Sequence, residues 1–251
     1  MPHPRRPDPA QGVFETLLVH DGRPVELDAH LARLEASLAA LFPDRPIPEL
    51  RDEIQARAGG VEAGSVKATV APSGAGARAR VESRSSGAFA THRTTNAPGA
   101  AIALHAFELP GGLGAHKWAD RSLLEGAQAE LPDDALPLIL DEDGTVLEAS
   151  RANVFAVRAG ALFTPALDGR ILPGITRARV LELAAATGVE AHESALRRAD
   201  LLAADEVFLT GSVRGIEPAA SLDGAALAGA GPVAGALATE LRRAWLGAPV
   251  A

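Results

Sequence analysis

The stretch Leu109-Pro110-Gly111-Gly112-Leu113-Gly114, running into Ala115-His116-Lys117-Trp118, decides how the chain is divided. A proline and three glycines leave no room for a regular element, which predicts a linker over residues 109–114. Upstream, Gly12 to Val19 reads as a strand closed by a turn at His20-Asp21-Gly22. Asp28 is placed to cap a helix whose Leu31, Leu34, Leu38 and Leu41 share one face, and Pro43 and Pro46 end it. Glu49 to Ala58 reads as a second helix. Val66 to Ala71 and Ala79 to Ser83 read as paired strands, and Ala101 to Leu109 as another. Residues 12–108 are thus expected to form a small α/β or α+β domain. Residues 115–251 are expected to form a larger one. It opens with a helix from His116 to Glu130 and continues with four short strands between Leu136 and Thr164. A helix from Gly174 to Thr187 follows, then a short helix Asp200 to Ala204, a strand Glu206 to Thr210 and an Ala-rich C-terminal helix. Residues 1–11, polar and Pro-rich, are expected to be a disordered tail.

The 251 residues carry 24 Lys plus Arg against 32 Asp plus Glu, a net charge of −8, which argues against a nucleic-acid surface. Hydrophobic residues make up 47%, enough for a core, yet aromatics are 4% and tyrosine is absent, so Ala, Leu and Val must fill it. No cysteine is present, which removes disulfides, thiolate metal sites and thiol nucleophiles, and no metal-spaced histidine cluster appears. No uncharged apolar run is long enough to cross a membrane, and the Pro-rich start lacks the apolar region of a signal peptide. These features together predict a soluble, cytoplasmic, acidic globular protein.

Only two of the basic side chains, Lys67 and Lys117, are lysines. Where arginine is the default, a lysine marks a place for chemistry that arginine cannot do: losing its proton and attacking a carbonyl. Lys117 follows the Gly-rich break directly. Downstream come Glu148-Ala149-Ser150-Arg151-Ala152-Asn153, a carboxylate and an amide around a tight turn, and Leu172-Pro173-Gly174-Ile175-Thr176-Arg177, the start of a helix. Free N–H groups at a helix start favour an anion, phosphate above all. His116 sits beside the lysine, but on a helix it would point elsewhere.

In this order, with Gly12-Val13-Phe14-Glu15-Thr16-Leu17 and His30-Leu31-Ala32-Arg33-Leu34 before them and Glu206-Val207-Phe208-Leu209-Thr210-Gly211-Ser212 after, these segments closely resemble the class IV aminotransferases. These are the fold-type IV enzymes that use pyridoxal 5′-phosphate, and the resemblance runs from residue 12 to residue 224. It implies a two-domain α/β fold like that of D-amino-acid aminotransferase, with the cofactor in the interdomain cleft and a homodimer as the working form. Carried over by residue, it implies that Lys117 forms the Schiff base and that Glu148 pairs with the pyridine nitrogen, with Asn153 beside it. Arg33, Ile175, Thr176 and Ser212 match the groups that hold the phosphate. Val213 stands where the family presents a backbone N–H to the substrate carboxylate, and Thr16 and the Trp118 to Arg121 segment are expected in the pocket wall. No metal is implied.

The chain departs from the family in several places. Asp120 stands where asparagine is frequent, Leu18 replaces a frequent arginine, and the strand that commonly precedes Gly12 is replaced by the Pro-rich tail. The tyrosines that usually shape a transaminase pocket are missing. With the Lys117-Trp118-Ala119-Asp120-Arg121 context, their absence points to the 4-amino-4-deoxychorismate lyase branch, which makes 4-aminobenzoate for folate synthesis. The alternative within the family is a transaminase of branched-chain or D-amino acids.

Overall fold

The computed structural model describes residues 6–85, 102–133, 135–229 and 231–247. It is a mixed α/β protein built on two sheets. The chain divides into two compact units, Met1–His92 with His116–Leu123, and Arg93–Ala115 with Leu124–Ala251.

In the first unit, β1 (Val13–His20) is central to an antiparallel sheet. It pairs on one side with β2 (Arg23–Pro24) and on the other with β3 (Ala63–Ser73), which carries β4 (Gly76–Ser85). Along β1, Val13, Leu17 and Val19 face a core shared with Leu31, Leu34 and Leu38 of α1 (Leu27–Leu41) and Ile54 of α2 (Arg51–Gly59). Glu15 lies on that same side, a carboxylate where the pattern calls for an apolar residue. The helix starts two residues earlier than Asp28 suggested: Glu26, in the left-handed region at φ 54°, precedes it without a capping side chain. Asp28 instead meets Arg51 at 2.7 Å from the first turn, where a negative charge also suits the helix dipole.

Two expectations need correction here. Of the supposed tail, residues 1–5 lie outside the described residues, but 6–11 are ordered. Pro9–Gln11 form a short 3-10 turn capped by the Asp8 carboxylate, and the Asp8 N–H donates to Asp120 Oδ2 at 2.9 Å. Nor does a helix begin at His116. Trp118 bridges to Val13, Phe14 N–H donates to the Lys117 carbonyl at 2.9 Å, and Ala119 N–H donates to the Gly12 carbonyl. Residues 117–119 are therefore laid extended along the start of β1. Asp120 Oδ1 accepts from both the N–H and the hydroxyl of Ser122, so α3 (Ser122–Ala129) starts only there.

The second unit holds a ten-stranded sheet. Its strands are β5 (Ile102–Glu108), β6 (Ala135–Leu140), β7 (Thr145–Ala149), β8 (Asn153–Arg158), β9 (Ala161–Thr164), β10 (Ala191–Glu193), β11 (Leu196–Arg197), β12 (Glu206–Gly211), β13 (Gly215–Leu222) and β14 (Ala225–Ala226). Their order is β10-β9-β8-β12-β13-β5-β6-β7-β11, with β14 against β13. One face packs Phe155, Val157, Phe208 and Ile216 against α4 (Ile175–Thr187) and α6 (Pro232–Leu246), with Phe155 and Phe208 stacked at 5.2 Å. The other face carries Leu104, Leu138, Val146, Val154 and Leu209, closed by Leu201 of α5 (Arg198–Leu202). The sequence reading missed β13, because Glu217 and Pro218 interrupt its apolar pattern.

The expected division also shifts. β5, assigned above to the small domain, lies between β13 and β6 and pairs parallel with both. Residues 109–114 are fastened to the same unit and do not act as a free linker. Leu109 N–H donates to the Leu140 carbonyl, Gly111 N–H to Asp141 Oδ1, and Gly114 N–H to the Arg170 carbonyl. Gly112, at φ +60°, passes so close that a Cβ there would lie 2.2 Å from the Arg170 carbonyl oxygen. Its glycines serve close backbone approach as well as turning.

Candidate active site

In the first unit, Lys117 sits on the extended segment beside β1, half-buried, with Nζ 4.8 Å from the centre of the Phe14 ring. Lys67, opposite Thr16 in the β1–β3 register, places its own Nζ 4.5 Å from that ring. Both lysines of the chain thus meet at one aromatic side chain, an arrangement the sequence did not signal. Thr16 is half-buried on the same side of β1 as Phe14. His116 turns to α1, where Nδ1 lies 3.1 Å from Ser37 Oγ, and its ring stands edge-on to Trp118. Its partial burial pushes its pKa down.

Behind β1 lies a buried ionic group. Glu15 accepts from His30 Nδ1 at 2.7 Å and from Arg33 through Nε at 2.8 Å and an Nη at 2.7 Å. Burial alone would raise the Glu15 pKa; hydrogen bonds and charge from His30 and Arg33 outweigh it and lower the value from 4.5 to about 2. Burial pushes His30 below its ordinary 6.5, with Glu15 opposing.

These shifts predict how acid acts. Unfolded, Glu15 takes a proton near pH 4.5, whereas folded it holds out to about 2, so its contribution is complete above pH 4.5 and lost as pH falls toward 2. His30 adds in the same direction, because below pH 6.5 the unfolded chain accepts a proton that the folded chain resists. Urea midpoints measured against pH are expected to fall below 6.5 and most steeply below 4.5. Glu15→Gln should flatten the lower part; an unchanged acid limb in that variant contradicts the assignment.

In the second unit, Glu148 lies buried near the end of β7. Its Oε2 accepts from Asn153 Nδ2 at 3.3 Å and from Leu172 N–H at 3.2 Å, while Asn153 Nδ2 also donates to the Leu172 carbonyl at 3.0 Å. Asn153 therefore ties the carboxylate to the loop that leads into α4. A Cβ on Gly174 would lie 1.9 Å from Asn153 Oδ1, so glycine is required there by space, at an unstrained φ of −68°. Gly174→Ala is expected to displace Asn153 and cost roughly 1–3 kcal/mol, with weaker cofactor binding. Thermal unfolding and cofactor titration check this; a variant equal to the parent in both would contradict it.

The starts of α4 and α6 differ. At α6, Glu206 accepts from Val233 N–H and Ala234 N–H at 2.9 and 2.8 Å. At α4, Gly174 precedes Ile175 with no side chain capping the helix. Two hydroxyls in this region, Thr176 Oγ1 and Thr210 Oγ1, are buried with no partner among the described residues. Thr210 lies opposite Asn153 across the β8–β12 pair. Arg177, also buried, turns to the Pro165 carbonyl and Glu193 and anchors the helix. Helix-start N–H groups that no side chain caps, and two buried hydroxyls with no partner among the described residues, suit a phosphate dianion. Ser212 and Val213 occupy the turn between β12 and β13. That turn is braced by Glu217, which receives Arg151 at 2.6 Å and Arg214 at 3.6 Å. Neither the orphan hydroxyls nor this brace was read from sequence; threonines are too common in strands and helix starts to stand out.

The class IV aminotransferase family matches residues 12–222, most of the chain. The chain belongs to that family. Among solved structures, this class IV protein is similar to the 4-amino-4-deoxychorismate lyase of Pseudomonas aeruginosa, at 29% identity and TM-score 0.77 over 93% of this chain and 90% of that one. It is also similar to a hypothetical aminotransferase from Mycobacterium tuberculosis in its PLP-bound form, at 25% identity and TM-score 0.79, covering 98% and 94%. The branched-chain-amino-acid aminotransferase of Escherichia coli K12 is 41% identical over 103 residues, which is 41% of this chain and only 33% of that protein. The family is pyridoxal-phosphate-dependent. Among the described residues no group suited to a metal ion occurs, and no helix is long and apolar enough to cross a membrane.

Proposed function

We propose that this class IV protein is a pyridoxal-phosphate-dependent 4-amino-4-deoxychorismate lyase, a cytoplasmic homodimer that releases pyruvate and 4-aminobenzoate. The observation that carries the choice is the 29% identity to the Pseudomonas lyase across nearly the whole of both chains, against 25% to the Mycobacterium aminotransferase over a similar span. The absence of tyrosine supports it.

The cofactor, when bound, supplies an aldehyde for the substrate amine and a ring that takes up electrons from the adjacent carbon. Lys117 would provide the amine that holds it, and its free Nζ would take the proton from the amine-bearing carbon of the substrate. The same amine returns that proton to the enolpyruvyl oxygen as the neighbouring C–O bond breaks. The six-membered ring of the substrate becomes aromatic as the enol of pyruvate leaves, which makes the step irreversible. Glu148, kept in place by Asn153 and Leu172 N–H, holds a proton on the pyridine nitrogen. Ile175 and Thr176 N–H, the Ser212 hydroxyl and Arg33 bind the phosphate. Val213 N–H meets a substrate carboxylate, and Thr16 lines the pocket.

Supplying aminodeoxychorismate and following products tests the reaction: 4-aminobenzoate and pyruvate should appear in equal amounts. The 41% match to an aminotransferase favours a second reading, transfer of an amino group. Rapid transfer to 2-oxoglutarate without 4-aminobenzoate would establish that reading instead. Sedimentation should give a dimer at micromolar concentration, and a monomer there contradicts the proposed assembly.

A further inference from the structure

Phosphate binding by Arg33 requires that its guanidinium be held in one place, and two residues, Glu15 on β1 and His30 on α1, determine where it is. Arg33 follows His30 by one turn of α1, so both project from one face of the helix. Glu15 faces them from β1, on the side that packs against α1. The carboxylate takes Arg33 through Nε and one Nη in the two-point geometry that fixes the plane of the guanidinium. An ionised carboxylate only accepts, so His30 Nδ1 carries the proton of the 2.7 Å contact and steadies Glu15 from the other side. Glu15 and His30 are almost wholly buried, at 2% and 1% exposure, whereas the Arg33 side chain keeps 10%. The pair is therefore inside and the arginine at its edge.

We propose that Glu15 and His30 are positioning residues for the cofactor phosphate: they act through Arg33, whose guanidinium they pre-orient, and touch neither substrate nor cofactor themselves. A free arginine would lose rotamer freedom on binding; one already fixed to a carboxylate does not. The depressed Glu15 pKa keeps the clamp ionised throughout the neutral range. The inference rests on the assignment of Arg33 to the phosphate given above.

The test compares two probes, pyridoxal 5′-phosphate and pyridoxal, which differ only in the phosphate, titrated into the full-length apoprotein and followed by absorbance. Glu15→Gln is expected to weaken the phosphorylated probe about tenfold to a hundredfold and to leave pyridoxal within about twofold. Arg33→Gln should do the same. Adding Glu15→Gln to Arg33→Gln should bring no further selective loss, because the carboxylate then has nothing to position. Should Glu15→Gln fail to fold, His30→Leu gives the same readout with a smaller selective loss. Equal weakening of both probes in the single variant would show a structural role only and overturn the inference. So would full phosphate selectivity in Glu15→Gln alongside its loss in Arg33→Gln; the cofactor assignment would survive that result. A parent protein that binds both probes equally would instead overturn the phosphate site itself, and the inference with it.

Discussion

Lys117→Arg should abolish turnover, by on the order of 10³-fold or more, while leaving the fold intact. The substitution keeps the positive charge and most of the length. What it removes is the ability to lose a proton at neutral pH: guanidinium stays charged, so it neither attacks an aldehyde nor abstracts a proton. The position tolerates the change structurally because the hydrogen bonds that tie the segment to β1 are made by its backbone. Phe14 N–H meets the residue's carbonyl, and Gly12 and Val13 pair with its neighbours. Arginine also stacks on an aromatic ring, so the contact with Phe14 is kept in kind. Thermal unfolding close to the parent with no 4-aminobenzoate formed is the expected pair of results. Substantial activity would remove Lys117 from the chemistry.

Glu148→Gln is expected to retain the cofactor and lose turnover, by on the order of 10²-fold. Glutamine has the same volume, and its amide oxygen can still accept from Asn153 Nδ2 and Leu172 N–H, as Glu148 does. The site thus stays built. What disappears is the negative charge that favours a protonated pyridine nitrogen, so the ring draws electrons less strongly from the carbon where the proton is removed. Cofactor affinity within a few-fold of the parent and a slowed isotope-sensitive proton step are the signs to measure. Parent-like turnover would leave Glu148 a structural residue. Asn153→Ala is a useful companion, since it removes one donor to the carboxylate without removing its charge.

Much of this was legible in the sequence because it rests on local patterns. The four leucines of α1, the alternation of β1 and the glycines flanking α4 each reflect a short-range period or a backbone demand, and each element formed where expected. Failures came where partners far apart in sequence decide. Lys117 looked like the start of a helix because apolar periodicity runs on through α3. Its place is set instead by β1, more than a hundred residues earlier, and by Asp120, which caps Ser122. The Gly-rich stretch read as a linker, since nothing local shows that Asp141 and the Arg170 carbonyl receive its N–H groups. β5 was assigned to the wrong unit for the same reason: its parallel neighbours β6 and β13 come later in the chain. At the site, residue types marked the lysine, the carboxylate and the helix start. The Glu15–His30–Arg33 clamp and the orphan hydroxyls of Thr176 and Thr210 are products of packing alone.

Because the chain has just two lysines, and both lie against Phe14, the site of covalent attachment can be read without ambiguity. The purified protein, loaded with pyridoxal 5′-phosphate, is treated with borohydride and digested, and the peptide carrying the added phosphopyridoxyl mass is sequenced. The visible band should disappear and the mass should sit on Lys117. Attachment to Lys67, or no attachment at all, would contradict the account.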